Sequence, residues 1–265
     1  MGYLLAFFLR DGIHSRRTLW IAIMGLIPVA CAVLLLAADT VFQTENLRLS
    51  TIYPQLSYLL FLHFLLPLTS IFIGTAIIGD EVEEKTLPYL ITRPVPRWGI
   101  VAMKTLAGVI TIGAVILVSF TLTWLIMNAG SGMGRLIRSA PAFIRSGSAL
   151  LLGTLVYVPL FGVVGALLKR PVLAGLLFAF GWESSVAFFP GNVRLLTVAH
   201  YLHSLFPPIR KISTSDIGGS LFGIAMTANR TPVILSVLGL FGMIVLFSGI
   251  LTAILYFKEY RLDER

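Results

Sequence analysis

The stretch that decides the fold is DEVEEKTLPYLITRPVPRW, residues 80–98. It concentrates acids, prolines and arginines between two long apolar runs, Leu56–Ile78 and Ile100–Met127. Each run is longer than the roughly 20 apolar residues that a helix needs to cross a bilayer. The sequence therefore predicts two membrane spans joined by a short polar loop.

The rest of the chain extends this pattern. Hydrophobic residues make up 57% of the 265 residues, charged residues make up 12%, and the mean hydropathy is +0.92. A soluble domain carries about 25% charge. The same length criterion gives four further spans, Leu19–Ala38, Ala149–Leu168, Val172–Phe189 and Pro232–Phe257. We predict an all-α, polytopic membrane protein with six transmembrane helices in a single domain, residues 1–265.

The net charge of +8 reflects membrane topology better than nucleic-acid binding, because the basic residues lie at the ends of apolar runs. An even number of spans places both termini on one side. With both termini in the cytoplasm, more of the 20 Lys and Arg residues face the cytoplasm, in agreement with the positive-inside rule.

Three segments outside the spans have distinct patterns. Apolar and basic residues in 1–18 predict a short helix in the inner interface. The outer loop, 190–231, contains helical spacing near 193–205 that predicts an interfacial or re-entrant helix. Gly, Ser and Pro predict a loop after the third span, with a surface-lying helix at 135–145. Its arginines could meet outer-leaflet phosphates, a partner or an anionic substrate.

Two ionisable residues fall inside the predicted spans, where such groups are candidates for function. Glu183 could face a polar cavity, pair with an outer-loop arginine, bind substrate, or cap backbone N–H groups of the outer hairpin. His63 could bond to a neighbouring helix or act functionally. Pro67 should kink the second span and Pro159 the fourth.

Four glycines in the spans should allow helices to pack closely, and we give them structural roles: Gly108, Gly113, Gly162 and Gly165. Motifs for nucleotide binding or hydrolysis are absent from the sequence, which has no GxxxxGK[ST], HExxH, CxxC or GxSxG. The acids of residues 80–84 would point around a helix, so we predict no metal site. The chain is therefore not expected to be an enzyme.

The loop between spans two and three should hold a short docking helix. Thr86 can cap it, and Leu87, Leu90 and Ile91 share one face at i, i+3, i+4 spacing. Pro94 and Pro96 then stop the helix, and arginines flank it. A rigid knob with one apolar side suits a groove in another protein.

Residues 80–108 resemble the corresponding loop of ABC type-2 permeases, the membrane subunits of ATP-binding-cassette exporters. The matching residues are Glu81, Glu83, Glu84, Thr86, Leu87, Tyr89, Leu90, Ile91, Arg93, Pro94, Val95, Arg97 and Lys104. Lys85 stands where this family usually has glycine. The segment WESSVAFFPGNVRLLTVAHYLHSL, residues 182–205, resembles the end of span five in a subgroup of these permeases.

The resemblance implies a permease subunit, and the matching residues from Glu81 to Arg97 would form its ATPase-coupling segment. The partners would be a separate ABC ATPase subunit, a second identical or homologous permease, and membrane lipid. ATP and Mg would be bound by the ATPase, and this chain would bind no cofactor. The location would be a bacterial-type cytoplasmic (inner) membrane.

In this family spans two and five line the dimer interface, which makes His63 and Glu183 candidates for the substrate path. Two alternatives remain at the level of sequence. One is a membrane scaffold or assembly factor without transport activity. The other is an intramembrane enzyme that uses His63 and Glu183.

Overall fold

The computed structural model describes residues 6–10, 12, 15–42, 54–83, 96–129, 133–186, 192–207 and 231–257. In these ranges the chain is helical and has no strand. The helices are α1 (Arg16–Phe42), α2 (Ser57–Leu65), α3 (Leu66–Gly74), α4 (Ala76–Glu83), α5 (Arg97–Met127), α6 (Met133–Leu167), α7 (Pro171–Leu176), α8 (Leu177–Trp182), α9 (Glu183–Val186), α10 (Val198–Leu205) and α11 (Val233–Phe257). A short 3-10 helix, Asn192–Leu196, lies between α9 and α10.

Five helical stretches are long and apolar enough to cross a membrane. They are Arg17–Ala38, Pro54–Gly79, Trp98–Met127, Leu136–Leu167 and Val233–Phe257. The predicted fifth span corresponds to a shorter apolar helix, Pro171–Trp182. The all-helical membrane architecture is thus confirmed, and the count of six spans stays a prediction.

Helix α6 corrects the prediction of a loop and a separate surface helix before span four. It is one helix of 35 residues that begins at Met133. Phe143 in its first half stacks on Phe120 and Trp124 of α5, with ring centroids 5.0 and 4.6 Å apart. Aromatic packing of this kind stabilises helical backbone that local Gly, Ser and Pro content disfavours.

The second span changes its helical geometry before Pro67. Helix α2 is a π-helix, and the Leu66 N–H donates to the carbonyl of Phe61, five residues earlier. Pro67 follows in the first turn of α3. Proline has no N–H to donate and its ring crowds the preceding turn, so a wider turn just before it relieves both problems.

The centre of the bundle depends on close approach of α3 and α6. A Cβ atom on Gly165 would lie 2.7 Å from Thr75 Cα and closer still to the Thr75 carbonyl oxygen. A Cβ atom on Gly74 would lie 2.7 Å from Phe161 Cβ. The predicted packing role of glycine is confirmed at Gly165, because the two backbones touch where a side chain would stand.

The remaining helices surround this pair. Helix α1 packs on α5, where Ser119 Oγ donates to the carbonyl of Gly25. Helix α11 packs on α6, and α10 lies against both α6 and α11. Residues 6–10 are helical, and Phe8 packs with Ile100 and Ala107 of α5. The predicted interfacial position of this N-terminal helix stays a prediction.

Candidate functional site

Most of the predicted ATPase-coupling segment lies outside the described residues. This applies to Glu84, Thr86, Leu87, Tyr89, Leu90, Ile91, Arg93 and Pro94. On its two sides, Glu81 and Glu83 belong to the end of α4, and Arg97 is the first residue of α5. The structure therefore describes the base from which this loop extends, and the coupling residues stay a prediction.

A lysine joins the two flanks of the loop. Lys104 Nζ donates a hydrogen bond of 3.0 Å to the carbonyl oxygen of Ile77, 27 residues earlier in the chain. The same ammonium group lies 5.7 Å from the centroid of the Phe8 ring. Near a membrane surface a charge-assisted bond to a carbonyl is stronger than a neutral one. Lys104 thus connects α4, α5 and the N-terminal helix at one point.

The predicted substrate-path residue His63 bonds within its own span. Its Nε2 lies 2.8 Å from Tyr58 Oη, and the two rings meet edge to face at 4.7 Å. The residues are five positions apart, which is the spacing of backbone hydrogen bonds in the π-helix that contains both. Tyr58 also meets the rings of His203 and Phe206 edge to face. His63 therefore forms part of a polar and aromatic contact with α10.

The second predicted substrate-path residue, Glu183, is buried and hydrogen-bonded. Tyr157 Oη of α6 donates to Glu183 Oε2. The backbone amides of Val198 and Ala199, the first residues of α10, also bond to the carboxylate. Thr197, which precedes α10, makes no side-chain cap. Glu183 therefore caps the N-terminus of α10.

The other end of α10 is held by a positive charge. Arg145 Nε of α6 donates a hydrogen bond of 2.6 Å to the carbonyl oxygen of Leu205. Thr231, just before α11, donates to Ser204 Oγ through both its amide and its hydroxyl, at 3.2 and 3.1 Å. A negative group at the start of a helix and a positive group at its end both complement the helix dipole.

Helix α10 is thus oriented by charged side chains from two other elements. One oxygen of the carboxylate, Glu183 Oε1, is buried without a hydrogen-bond partner among the described residues. The predicted roles of His63 and Glu183 in the substrate path stay predictions.

Sequence reasoning missed Tyr157 and Tyr58, and it did not predict the bond of Arg145 to α10. Tyr157 lies between two valines in an apolar run, so the rule that singled out His63 could have identified it if applied to hydroxyl groups. The role of Arg145 had no local signal. It depends on α6 being one continuous helix from Met133 into span four, whereas the sequence predicted a separate surface-lying helix at 135–145.

The apolar spans and the buried polar contacts between them define a multi-pass helical membrane protein. A family profile described as "ABC-2 family transporter protein" matches residues 9–214. The chain therefore belongs to the ABC-2 transporter family, and the predicted resemblance to its permeases is confirmed. No curated protein sequence matches the chain.

Proposed function

We propose that this chain is the permease subunit of an ABC exporter that takes its energy from a separate ATPase subunit. The family match includes residues 80–98. The main structural support for the proposal comes from the contacts between α4 and α5 at the base of this loop. A docked element transmits force only if its attachment is rigid. The bond from Lys104 to Ile77 provides such an attachment, since it fixes α5 against the preceding span.

The loop would enter a cleft of the ATPase as a short helix with Leu87, Leu90 and Ile91 on its apolar face. Closure of two ATPases on ATP and Mg would move two such helices, and the spans would change access in response. The chain would act as a homodimer or with a homologous permease in the bacterial inner membrane, with both termini in the cytoplasm.

The N-terminal helix adds to this arrangement. Phe8 is buried against Ile100 and Ala107 in the first turns of α5. It also lies beside Lys104, so the helix, the lysine and the loop base form one contact group. A movement of the loop would therefore also move α5 and the N-terminal helix.

The test is purification of the intact complex, followed by measurement of ATP hydrolysis in lipid with Leu90→Ala and Arg93→Ala variants. We expect an ATPase to co-purify with the wild-type permease. The variants should weaken this association or abolish the effect of the permease on hydrolysis, while the permease keeps its size-exclusion profile. Lys169→Ala is the matched control, because Lys169 is an exposed basic residue in the turn between α6 and α7.

Two results would contradict the proposal. If no ATPase co-purifies, the result favours the alternative of a membrane scaffold or assembly factor without transport activity. If both loop variants keep wild-type association and hydrolysis, the energy of ATP does not enter through this loop.

A further inference from the structure

A cavity of about 680 Å³ opens between α1, the second span and the start of α7. Trp20 contributes from α1, Phe72 and Gly79 from the second span, and Leu173 from α7. Small-molecule sites in proteins have volumes of about 300–1,000 Å³. The cavity is therefore large enough for a bound molecule, and it is separate from the polar contacts around α10.

The wall of this cavity is chemically divided. Arg17, in the first turn of α1, and Arg170, just before α7, supply two positive charges. Trp20, Phe72 and Leu173 supply an apolar surface. No acidic residue is among the described residues that line it. Such a site complements a molecule with an anionic group at one end and a hydrocarbon body.

The surroundings indicate where such a molecule would come from. Trp20 and Leu173 are 60% and 55% exposed in the isolated chain, so the apolar wall opens to the side of the bundle. In a membrane the side of the bundle faces lipid chains. Arginine forms two parallel hydrogen bonds with a phosphate group and is the usual side chain for that role.

We propose that this cavity binds an anionic phospholipid, with its phosphate at Arg17 and Arg170 and an acyl chain along Trp20 and Phe72. The lipid enters from the leaflet that contains the two arginines. A soluble anion would use only the arginine side of the cavity, and a neutral apolar molecule would use only its apolar wall. The proposal depends on the membrane location and is independent of coupling to an ATPase.

The test uses Trp20 as a reporter on the cavity wall. The other tryptophans, Trp98, Trp124 and Trp182, are replaced by Phe, and the protein is placed in lipid nanodiscs. Quenching of Trp20 by brominated phosphatidylglycerol is compared with quenching by brominated phosphatidylcholine. We expect phosphatidylglycerol to be preferred by about fivefold or more, since one basic residue at a membrane surface contributes about that factor.

The variants Arg17→Ala and Arg170→Ala, alone and together, should reduce this preference stepwise toward one. Lys169→Ala is the matched control, because Lys169 is exposed and adjacent to Arg170 but does not line the cavity. Gly79→Leu should lower quenching by both lipids. An added Cβ there meets only the Gly165 carbonyl oxygen at 3.8 Å, so the larger side chain can extend into the cavity.

Native mass spectrometry of the protein with all four tryptophans provides a second readout. Wild-type protein should retain phosphatidylglycerol, and the double arginine variant should lose it. Equal quenching by the two lipids in wild-type protein, or an unchanged preference in the double variant, would overturn the proposal and leave only ordinary annular lipid. Neither measurement requires the ATPase, so this site and the proposed function can fail separately.

Discussion

The substitution Gly165→Ala tests the contact on which the bundle depends. Its new methyl group would lie 2.7 Å from Thr75 Cα and closer to the Thr75 carbonyl oxygen, both of which are backbone atoms. Backbone cannot rotate away as a side chain does, so α3 and α6 must move apart. The Gly74 contact with Phe161 lies in the same helix pair and would loosen with it.

The magnitude follows from two opposing effects. Overpacking a close contact costs about 1–3 kcal/mol. Alanine is intrinsically a better helix former than glycine by about 1 kcal/mol, which offsets part of that cost. We therefore expect Gly165→Ala to lower the free energy of unfolding by up to about 2 kcal/mol.

Gly242→Ala is the matched control. Gly242 lies within α11, and a Cβ atom there would meet no atom within 4 Å. Only the helix propensity then changes, so this variant should be neutral or more stable by up to about 1 kcal/mol.

The assay is unfolding in mixed micelles with rising SDS mole fraction, followed by tryptophan fluorescence. Gly165→Ala should unfold at a lower mole fraction than wild type, and Gly242→Ala should not. If the two variants unfold at the same point, α3 and α6 do not touch at Gly165 and the central packing described above is wrong.

Two further predictions concern the polar contacts. Glu183→Gln removes the negative charge at the start of α10 and should raise its amide exchange about tenfold, since a charge at a helix end contributes about 1 kcal/mol or slightly more. Hydrogen exchange should show this in residues 198–205, with α5 as an unaffected reference, and equal exchange in both proteins would disprove the capping role. Lys104→Met removes the bond to Ile77 and should make residues 84–95 more sensitive to protease. It should lower the free energy of unfolding by no more than about 1–2 kcal/mol. Wild-type cleavage rates in this variant would show that the lysine does not hold the loop base.

Much of the fold could be predicted because membrane spans have a simple physical requirement. Inside the bilayer each backbone N–H and C=O must bond within the segment, so a long apolar run is forced to be helical. This requirement identified five spans, four of them close to their observed bounds, while the helix of span four begins well before the predicted Ala149. The same requirement predicted the segment Pro171–Trp182 less well, because the helix there is short and continues as a π-helix from Leu177 onward.

The prediction of a loop and a separate surface helix was wrong over residues 133–148 for a different reason. Gly, Ser and Pro content describes local preference, and the stacking of Phe143 on Phe120 and Trp124 overrides it. Those aromatic partners lie on another helix, so no window of sequence around Phe143 contains the information. The role of Arg145 was lost with it, because its hydrogen bond to Leu205 joins residues 60 positions apart.

The sequence by itself determined a helical membrane protein and its family resemblance, because hydropathy and a local motif are properties of contiguous residues. It also marked Glu183 and His63 as unusual. Only the tertiary structure decided which groups they contact: the Glu183 carboxylate caps α10 and bonds to Tyr157, and His63 bonds to Tyr58 in the same π-helix. A buried polar group is satisfied by whichever partners the packed helices bring within bonding distance, and that selection is made in three dimensions.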